Sequence, residues 1–193
     1  ILNSGKEELS VQTDKLPSYL MAEINPSVLK PGETGEITLL FDGHAAKKPG
    51  RYTDNITLNI SKGGKKVKGK LQVSANLVDD FSRLSATAKA NAPQIQLSST
   101  LIDFGVLSDK GKASQKFKVT NNGKSPLVIH SISCENEPIT IQGGKKEIKP
   151  GATCTFTVQL RPKEIKTKLE ALINIVCNDP NGPVRLIKIS ASK

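Results

Sequence analysis

The sequence predicts an all-β protein made of two β-sandwich units in tandem, the first lacking its opening strands, joined by a short helical linker. Three observations carry that expectation. A short turn occurs twice, Lys30-Pro31-Gly32 and Lys149-Pro150-Gly151, and each copy launches a strand of alternating apolar residues. The strands that follow the two turns align with one another to the end of each copy. Between the copies, from Phe81 to Pro93, the alternation stops and Ala becomes frequent.

The elements follow in order. Ile1 to Lys6 reads as the tail of a strand entering a turn, and it has a twin at Val119-Thr120-Asn121-Asn122-Gly123-Lys124. After the Lys-Pro-Gly turns, Ile37, Leu39 and Phe41 alternate with polar or outward residues, as Phe156, Val158 and Leu160 do, which is the period of a strand buried on one face. Pro sets the backbone and Gly permits the bend, so the turn has a structural role. The next strands set Tyr52, Ile56, Leu58 and Ile60 against Leu169, Ile173, Ile175 and Cys177, with Tyr52 expected to point inward. The last set residues 71–75 against residues 187–191. Ser85 is placed to cap a short helix over residues 86–90, which ends before Pro93. Residues 101–106 and 113–121 then supply the first two strands of a seven-strand second unit, with Phe117 and Val119 inward. They have no counterpart ahead of Ile1, so the first copy lacks roughly its first 30 residues. A sandwich opened in this way has a groove that a partner strand could fill. The expected division is residues 1–80, a linker at 81–93, and residues 94–193.

Length and composition agree with that plan. The 193 residues suffice for two units of roughly 100 residues, each with its own core. No apolar run approaches the roughly 20 residues of a membrane helix, so no transmembrane segment is expected. Residue 1 is Ile rather than Met, so the lack of a leader carries no weight on export. The net charge of +10 is uneven: residues 1–80 hold 11 basic and 10 acidic side chains, residues 81–193 hold 17 and 8. Nearly all the basic residues are Lys, and only Arg51, Arg83, Arg161 and Arg185 offer the planar fork that grips phosphates and bases. Nucleic acid is therefore not the expected partner, and most of the charge reads as a solubilising surface.

Several of these motifs resemble a known family. Asp103-Phe104-Gly105-Val106, the run from Phe117 through Gly123-Lys124-Ser125-Pro126-Leu127-Val128-Ile129, and Lys149-Pro150-Gly151 are similar to an immunoglobulin-like family of unknown function. That family is common in exported proteins of Gram-negative, Bacteroidetes-type bacteria, and its fold is similar to hydin-like and major-sperm-protein-like sandwiches. The segments Asp80-Phe81-Ser82-Arg83-Leu84-Ser85 and Ala90-Asn91-Ala92-Pro93 resemble the spacer between tandem copies. The resemblance implies two immunoglobulin-like β-sandwich domains and export to the periplasm or cell surface; it implies no reaction. Where the family's third strand often ends Ser-Cys-Gly-Cys-Thr, this chain has Ser133-Cys134-Glu135-Asn136.

Chemistry-bearing residues are few. Cys134, Cys154 and Cys177 read first as buried, inert thiols. In a seven-strand sandwich, Cys154 opens the fifth strand and Cys177 ends the sixth, at one pole and both inward, so Cys154–Cys177 is the disulfide to expect in an oxidising compartment. His130 and Cys134 lie roughly 13 Å apart along one strand, too far to share a zinc, and no metal or cofactor site is expected. His44 falls in the polar loop 42–48. Gly123-Lys124-Ser125 imitates a phosphate loop, but Lys118 stands where the leading Gly belongs. No nucleophile elbow occurs, and the acidic pairs Glu7-Glu8 and Asp79-Asp80 read as solvated charge. No catalytic residue is expected. Gly63-Gly64 and Gly143-Gly144 read as turn tips. After the first, Lys65, Lys66, Lys68 and Lys70 make a basic face that protects an edge strand and suits an acidic partner or a glycan. The sequence thus predicts a non-enzymatic interaction or scaffold module with a protein partner. The alternative is a glycan-binding or adhesive module, against which stands the scarcity of aromatic platforms, Tyr19 and Tyr52 being the only tyrosines.

Overall fold

The computed structural model describes residues 1–108, 113–135 and 138–193. The chain divides into two compact units, one of residues 1–48 and 52–75, the other of residues 49–51 and 76–193.

The first unit holds β1 (Leu9–Thr13), β2 (Leu20–Asn25), β3 (Val28–Leu29), β4 (Glu36–Phe41), β5 (Gly50–Lys62) and β6 (Lys65–Leu77). One sheet runs β3-β1-β5-β6, and β2 pairs with β4 in a second. Gly63 and Gly64 have φ of +51° and +76°, the left-handed backbone that a two-residue hairpin between β5 and β6 requires. The loop expected at 42–48 contains a one-turn helix, α1 (Gly43–Ala46). The Asp42 carboxylate starts it by accepting hydrogen bonds from the backbone N–H groups of His44 and Ala45, and His44 itself is exposed, as expected.

The second unit begins with α2 (Ala86–Ala90), capped by Ser85, whose hydroxyl accepts from the Ala88 N–H. Its strands are β7 (Ile95–Leu97), β8 (Leu101–Val106), β9 (Ala113–Asn121), β10 (Leu127–Cys134), β11 (Ile139–Gly143), β12 (Glu147–Ile148), β13 (Thr153–Leu160), β14 (Lys168–Cys177) and β15 (Val184–Ser192). The seven expected long strands are thus joined by two short ones, β7 and β12. The sheets run β12-β10-β14-β15-β8 and β11-β13-β9-β7. Between them lies a core in which Val119, Leu127, Val158, Leu160, Ile173 and Ile187 are fully buried and Phe117 stacks on Phe156 at 5.2 Å. Each such aliphatic side chain removed from water contributes about 1.5–3 kcal/mol.

Without β7, β8 and β9, the second unit's sheets become β12-β10-β14-β15 and β11-β13. These are the sheets of the first unit, strand for strand. The fold is therefore two immunoglobulin-like sandwiches in tandem, the first without its opening strands. The same positions show what those strands do. Ile173, Ile175 and Cys177 of β14 are all fully buried, whereas of their counterparts on β5 only Ile56 is, and Leu58 and Ile60 stay half-exposed.

The Lys-Pro-Gly turns are type II turns, with Gly32 at φ +79° and Gly151 at +73°, closed by hydrogen bonds from Glu33 N to Lys30 O and from Ala152 N to Lys149 O, both 3.0 Å. Each turn is tied to a buried asparagine. Gly32 N donates to Asn3 O and Gly151 N to Asn121 O, both at 2.8 Å. The asparagine side chains then repeat one pattern. Asn3 Nδ2 donates to Glu7 O and Leu29 O, and its Oδ1 accepts from Gly5 N. Asn121 Nδ2 donates to Ser125 O and Ile148 O, and its Oδ1 accepts from Gly123 N. A buried amide that satisfies its own groups and the surrounding backbone avoids the desolvation penalty of an unpaired one.

Candidate functional site

The first unit's chemistry gathers at β4. Its residues pair with β2 from Leu20↔Phe41 to Asn25↔Glu36. Among the described residues no second strand pairs with its other edge, and just ahead of β4 Thr34 bridges Leu2 while Gly35 N donates to Ile1 O. Behind that edge is a cleft of about 400 Å³, lined by Leu20, Leu39, Phe41, Tyr52, Asp54 and Val73. Tyr52 points inward as expected and meets Tyr19 at 5.0 Å and Phe41 at 5.3 Å. The Tyr19 hydroxyl donates to the Asp54 carboxylate, whose oxygens lie 3.0 and 3.2 Å away. Burial first, and then this hydrogen bond, raise the Tyr19 pKa above its ordinary value. The Tyr52 hydroxyl lies 2.8 Å from the carbonyl oxygens of Ala46 and Lys48. The three rings thus pack on one another, and the hydroxyls of Tyr19 and Tyr52 are engaged within the first unit.

The basic face lies on β6, which is a sheet edge. Lys65, Lys66, Lys68 and Lys70 are all exposed, and Val67 between them is 59% exposed. Lys66 and Lys68 border a cleft of about 430 Å³ together with Ser10, Gln12, Asn59 and Ser61.

In the second unit Cys134, Cys154 and Cys177 are not joined by a disulfide in this structure. Cys177 is fully buried, its Sγ 3.7 Å from Gly182 O, and burial pushes its pKa up to about 11. Cys154 is half-buried and its sulfur accepts from Lys145 N at 3.1 Å. Both border the same core, as does Cys134.

Two arrangements escaped the sequence reading. Asp79 is not merely solvated charge: its Oδ2 lies 2.7 Å from His130 Nε2, both side chains being partly buried. Asp179 is completely buried, and its carboxylate accepts from Ile95 N and Asn181 N, both at 2.9 Å, with Arg185 Nη2 3.8 Å away. It fastens the start of β7 to the β14–β15 connection. No group of three or more His, Cys, Asp or Glu among the described residues is placed to hold a metal.

Residues 93–192 match the model of the HYDIN/CFA65/VesB-like Ig-like domain. The chain belongs to this family. A protein of unknown function from Porphyromonas gingivalis W83 is similar along the whole chain, at 28% identity and a TM-score of 0.82, covering 100% of this chain and 88% of that one. Weaker likenesses include the PapD-like domain 7 of human CEP192, at 10% identity and a TM-score of 0.44, covering 60% of this chain and 96% of that one. The Vibrio cholerae VesB protease gives 14% identity and a TM-score of 0.44, covering 74% of this chain and 49% of that one. No curated protein matches the chain in sequence. Within this HYDIN/CFA65/VesB-like chain, no helix among the described residues is long and apolar enough to cross a membrane.

Proposed function

We propose that the chain is a non-catalytic interaction or scaffold module of the cell envelope that holds an acidic protein segment on the lysine face of β6. The observation that carries this reading is the set of four exposed lysines on an edge strand, grouped around the exposed Val67. An extended acidic segment could add main-chain hydrogen bonds to that edge while its carboxylates meet Lys66, Lys68 and Lys70. Calorimetry with a poly-glutamate peptide tests it. Binding should weaken as salt rises, because exposed charges are screened beyond about 8–10 Å at physiological ionic strength. The variant Lys66→Glu/Lys68→Glu/Lys70→Glu should abolish binding; unchanged affinity in that variant would refute the reading.

The functional division follows the sequence: residues 1–80 and 94–193 as modules and 81–93 as their spacer. Export is supported by the family resemblance of the motifs, and fractionation of the producing cells reads the compartment. In an oxidising compartment Cys154 and Cys177 are the pair proposed to bridge, since both border one core. The glycan-binding alternative has the Tyr19–Phe41–Tyr52 cluster beside Asp54 in its favour, and a glycan array without a hit removes it.

A further inference from the structure

The outer face of the β10-β14-β15 sheet carries a polar row whose hydrogen bonding the fold leaves incomplete. Ser133 of β10 lies opposite Asn174 of β14, and Asn174 opposite Leu186 of β15, so the three residues cross the sheet in line. Ile173 and Ile175, on either side of Asn174, are fully buried in the core, which puts Asn174 on the other face; even so, it is only 7% exposed. Among the described residues, neither Asn174 Oδ1 nor Ser133 Oγ has a hydrogen-bond partner, although both atoms are buried. A buried polar atom without a partner costs stability, so its presence calls for an explanation. Both residues line a cleft of about 470 Å³, and every residue of that lining belongs to the second unit. The size is ordinary for a ligand pocket.

The charged groups of the cleft answer one another. Arg51 Nε donates to Glu135 Oε1 at 2.7 Å and its Nη1 to Asn76 Oδ1 at 3.3 Å, and Glu170 Oε1 lies 2.7 Å from Lys168 Nζ. Left to a ligand are the acceptor of Asn174, the hydroxyl of Ser133, and two apolar side chains beside them, Leu172 and Leu186, 53% and 48% exposed. Among the described residues no aromatic ring lines the cleft to stack on a sugar. We propose that this cleft is a binding site for an uncharged, extended peptide segment. One main-chain N–H of the segment donates to Asn174 Oδ1, a carbonyl accepts from Ser133 Oγ, and an aliphatic side chain covers Leu172 and Leu186. Neighbouring strands lie about 4.8 Å apart, so the row from Ser133 to Leu186 spans about 10 Å, the reach of three extended residues at about 3.3 Å each. The site uses none of the β6 lysines, so it and the acidic-segment reading can each fail alone.

The test is a titration of the whole chain with acetyl-Gly-Leu-Gly-N-methylamide, followed by the NMR signals of the Leu172 and Leu186 methyls and the Asn174 carboxamide. These signals should shift and saturate at millimolar probe, and the affinity should change by less than about twofold between about 50 and 500 mM salt, since no charge pair forms. The same probe with each N–H replaced by N–CH3 should bind roughly tenfold more weakly, because the donor to Asn174 is gone. Asn174→Leu should weaken binding of the unmodified probe by a similar factor. It should also unfold at the same or a higher urea concentration than the native chain, because an orphaned polar atom gives way to an apolar one of similar size. The N-methylated probe needs no variant, so it reads the site even if Asn174→Leu fails to fold. The proposal is overturned by the absence of saturable shifts at these three groups, by equal binding of the N-methylated probe, or by equal binding to Asn174→Leu. Saturation by glucose but not by the peptide would overturn the ligand class. A clear loss of stability or of folding in Asn174→Leu would overturn the premise, since the amide would then serve the fold.

Discussion

Replacing Asn121 by Ala tests whether the buried asparagine holds the Lys-Pro-Gly turn in place. The side chain is fully buried; it donates to Ser125 O at 2.8 Å and Ile148 O at 2.9 Å, and accepts from Gly123 N at 2.9 Å. A fourth contact, from Gln94 N at 3.3 Å, is long and contributes little. Alanine removes every one of these interactions while leaving the backbone pairing of residue 121 with Gly151 and Ala152 intact. A hydrogen bond contributes about 1 kcal/mol net, and a buried group left unpaired, as Ile148 O would be, costs about 1–3 kcal/mol. The expected loss is about 3–4 kcal/mol for the second unit. Urea unfolding followed by methyl resonances of that unit measures it, and the first unit's resonances should keep their midpoint. Asn121→Asp offers an independent arm. It preserves size but sets a carboxylate oxygen against the two carbonyls, so at neutral pH it should destabilise at least as much. A loss below about 1 kcal/mol in Asn121→Ala would refute the clamp, since this is less than a single net hydrogen bond plus one orphaned carbonyl.

Two further outcomes are expected. Gly123→Ala would drive a Cβ against backbone, Gln94 N and Pro93 Cα both lying at 2.5 Å, and should cost about 2 kcal/mol or more in thermal unfolding. Its counterpart Gly5→Ala meets first the flexible end of Lys62, which can move aside, and should cost less than about 1 kcal/mol; equal losses would contradict the geometry. Under reducing conditions at pH 8, native Cys177 should resist iodoacetamide while Cys134 and Cys154 react, because burial raises its pKa to about 11 and keeps it a thiol. Intact mass read before and after denaturation checks this, and the unreduced sample shows whether Cys154 and Cys177 bridge. Labelling of Cys177 as fast as Cys154 would overturn the assignment of an inert thiol.

Much of the fold was legible because sandwich strands advertise themselves by alternation. Phe156, Val158 and Leu160 face a core on one side, and the polar residues between them face out. The missing strands were legible by comparison alone, since one copy serves as the reference for the other. Polar burial was harder to see. Asn3 and Asn121 look like turn residues, and only their recurrence two places ahead of Gly5 and Gly123 could have marked them as one device. Asp179 gave no such signal, because its partner, the Ile95 N–H, is 84 residues away in sequence. The pairing of Asp79 with His130 was hidden for the same reason, each residue being unremarkable in its own neighbourhood. The tyrosines drew notice as potential platforms, yet periodicity could not show that Tyr19, Phe41 and Tyr52 turn towards one another.

The parallel pairing of β8 with β15 bears on how the chain is made. Among the described residues the second unit's other ladders are antiparallel, but Leu101 and Ile102 sit beside Lys188 and Ile189, with Lys188 N donating to Thr100 O at 2.8 Å. Asp103 meets Ser190 across a separation of 87 residues. During vectorial synthesis the first unit's strands have all emerged once Leu77 is out, while β8 must wait for most of the second unit to be translated before its neighbour exists. Contacts so distant in sequence close slowly. The inward side of β8, Ile102 and Phe104, stays unsheltered on the nascent chain throughout that interval, which makes it the stretch where a holding chaperone would have the most to cover.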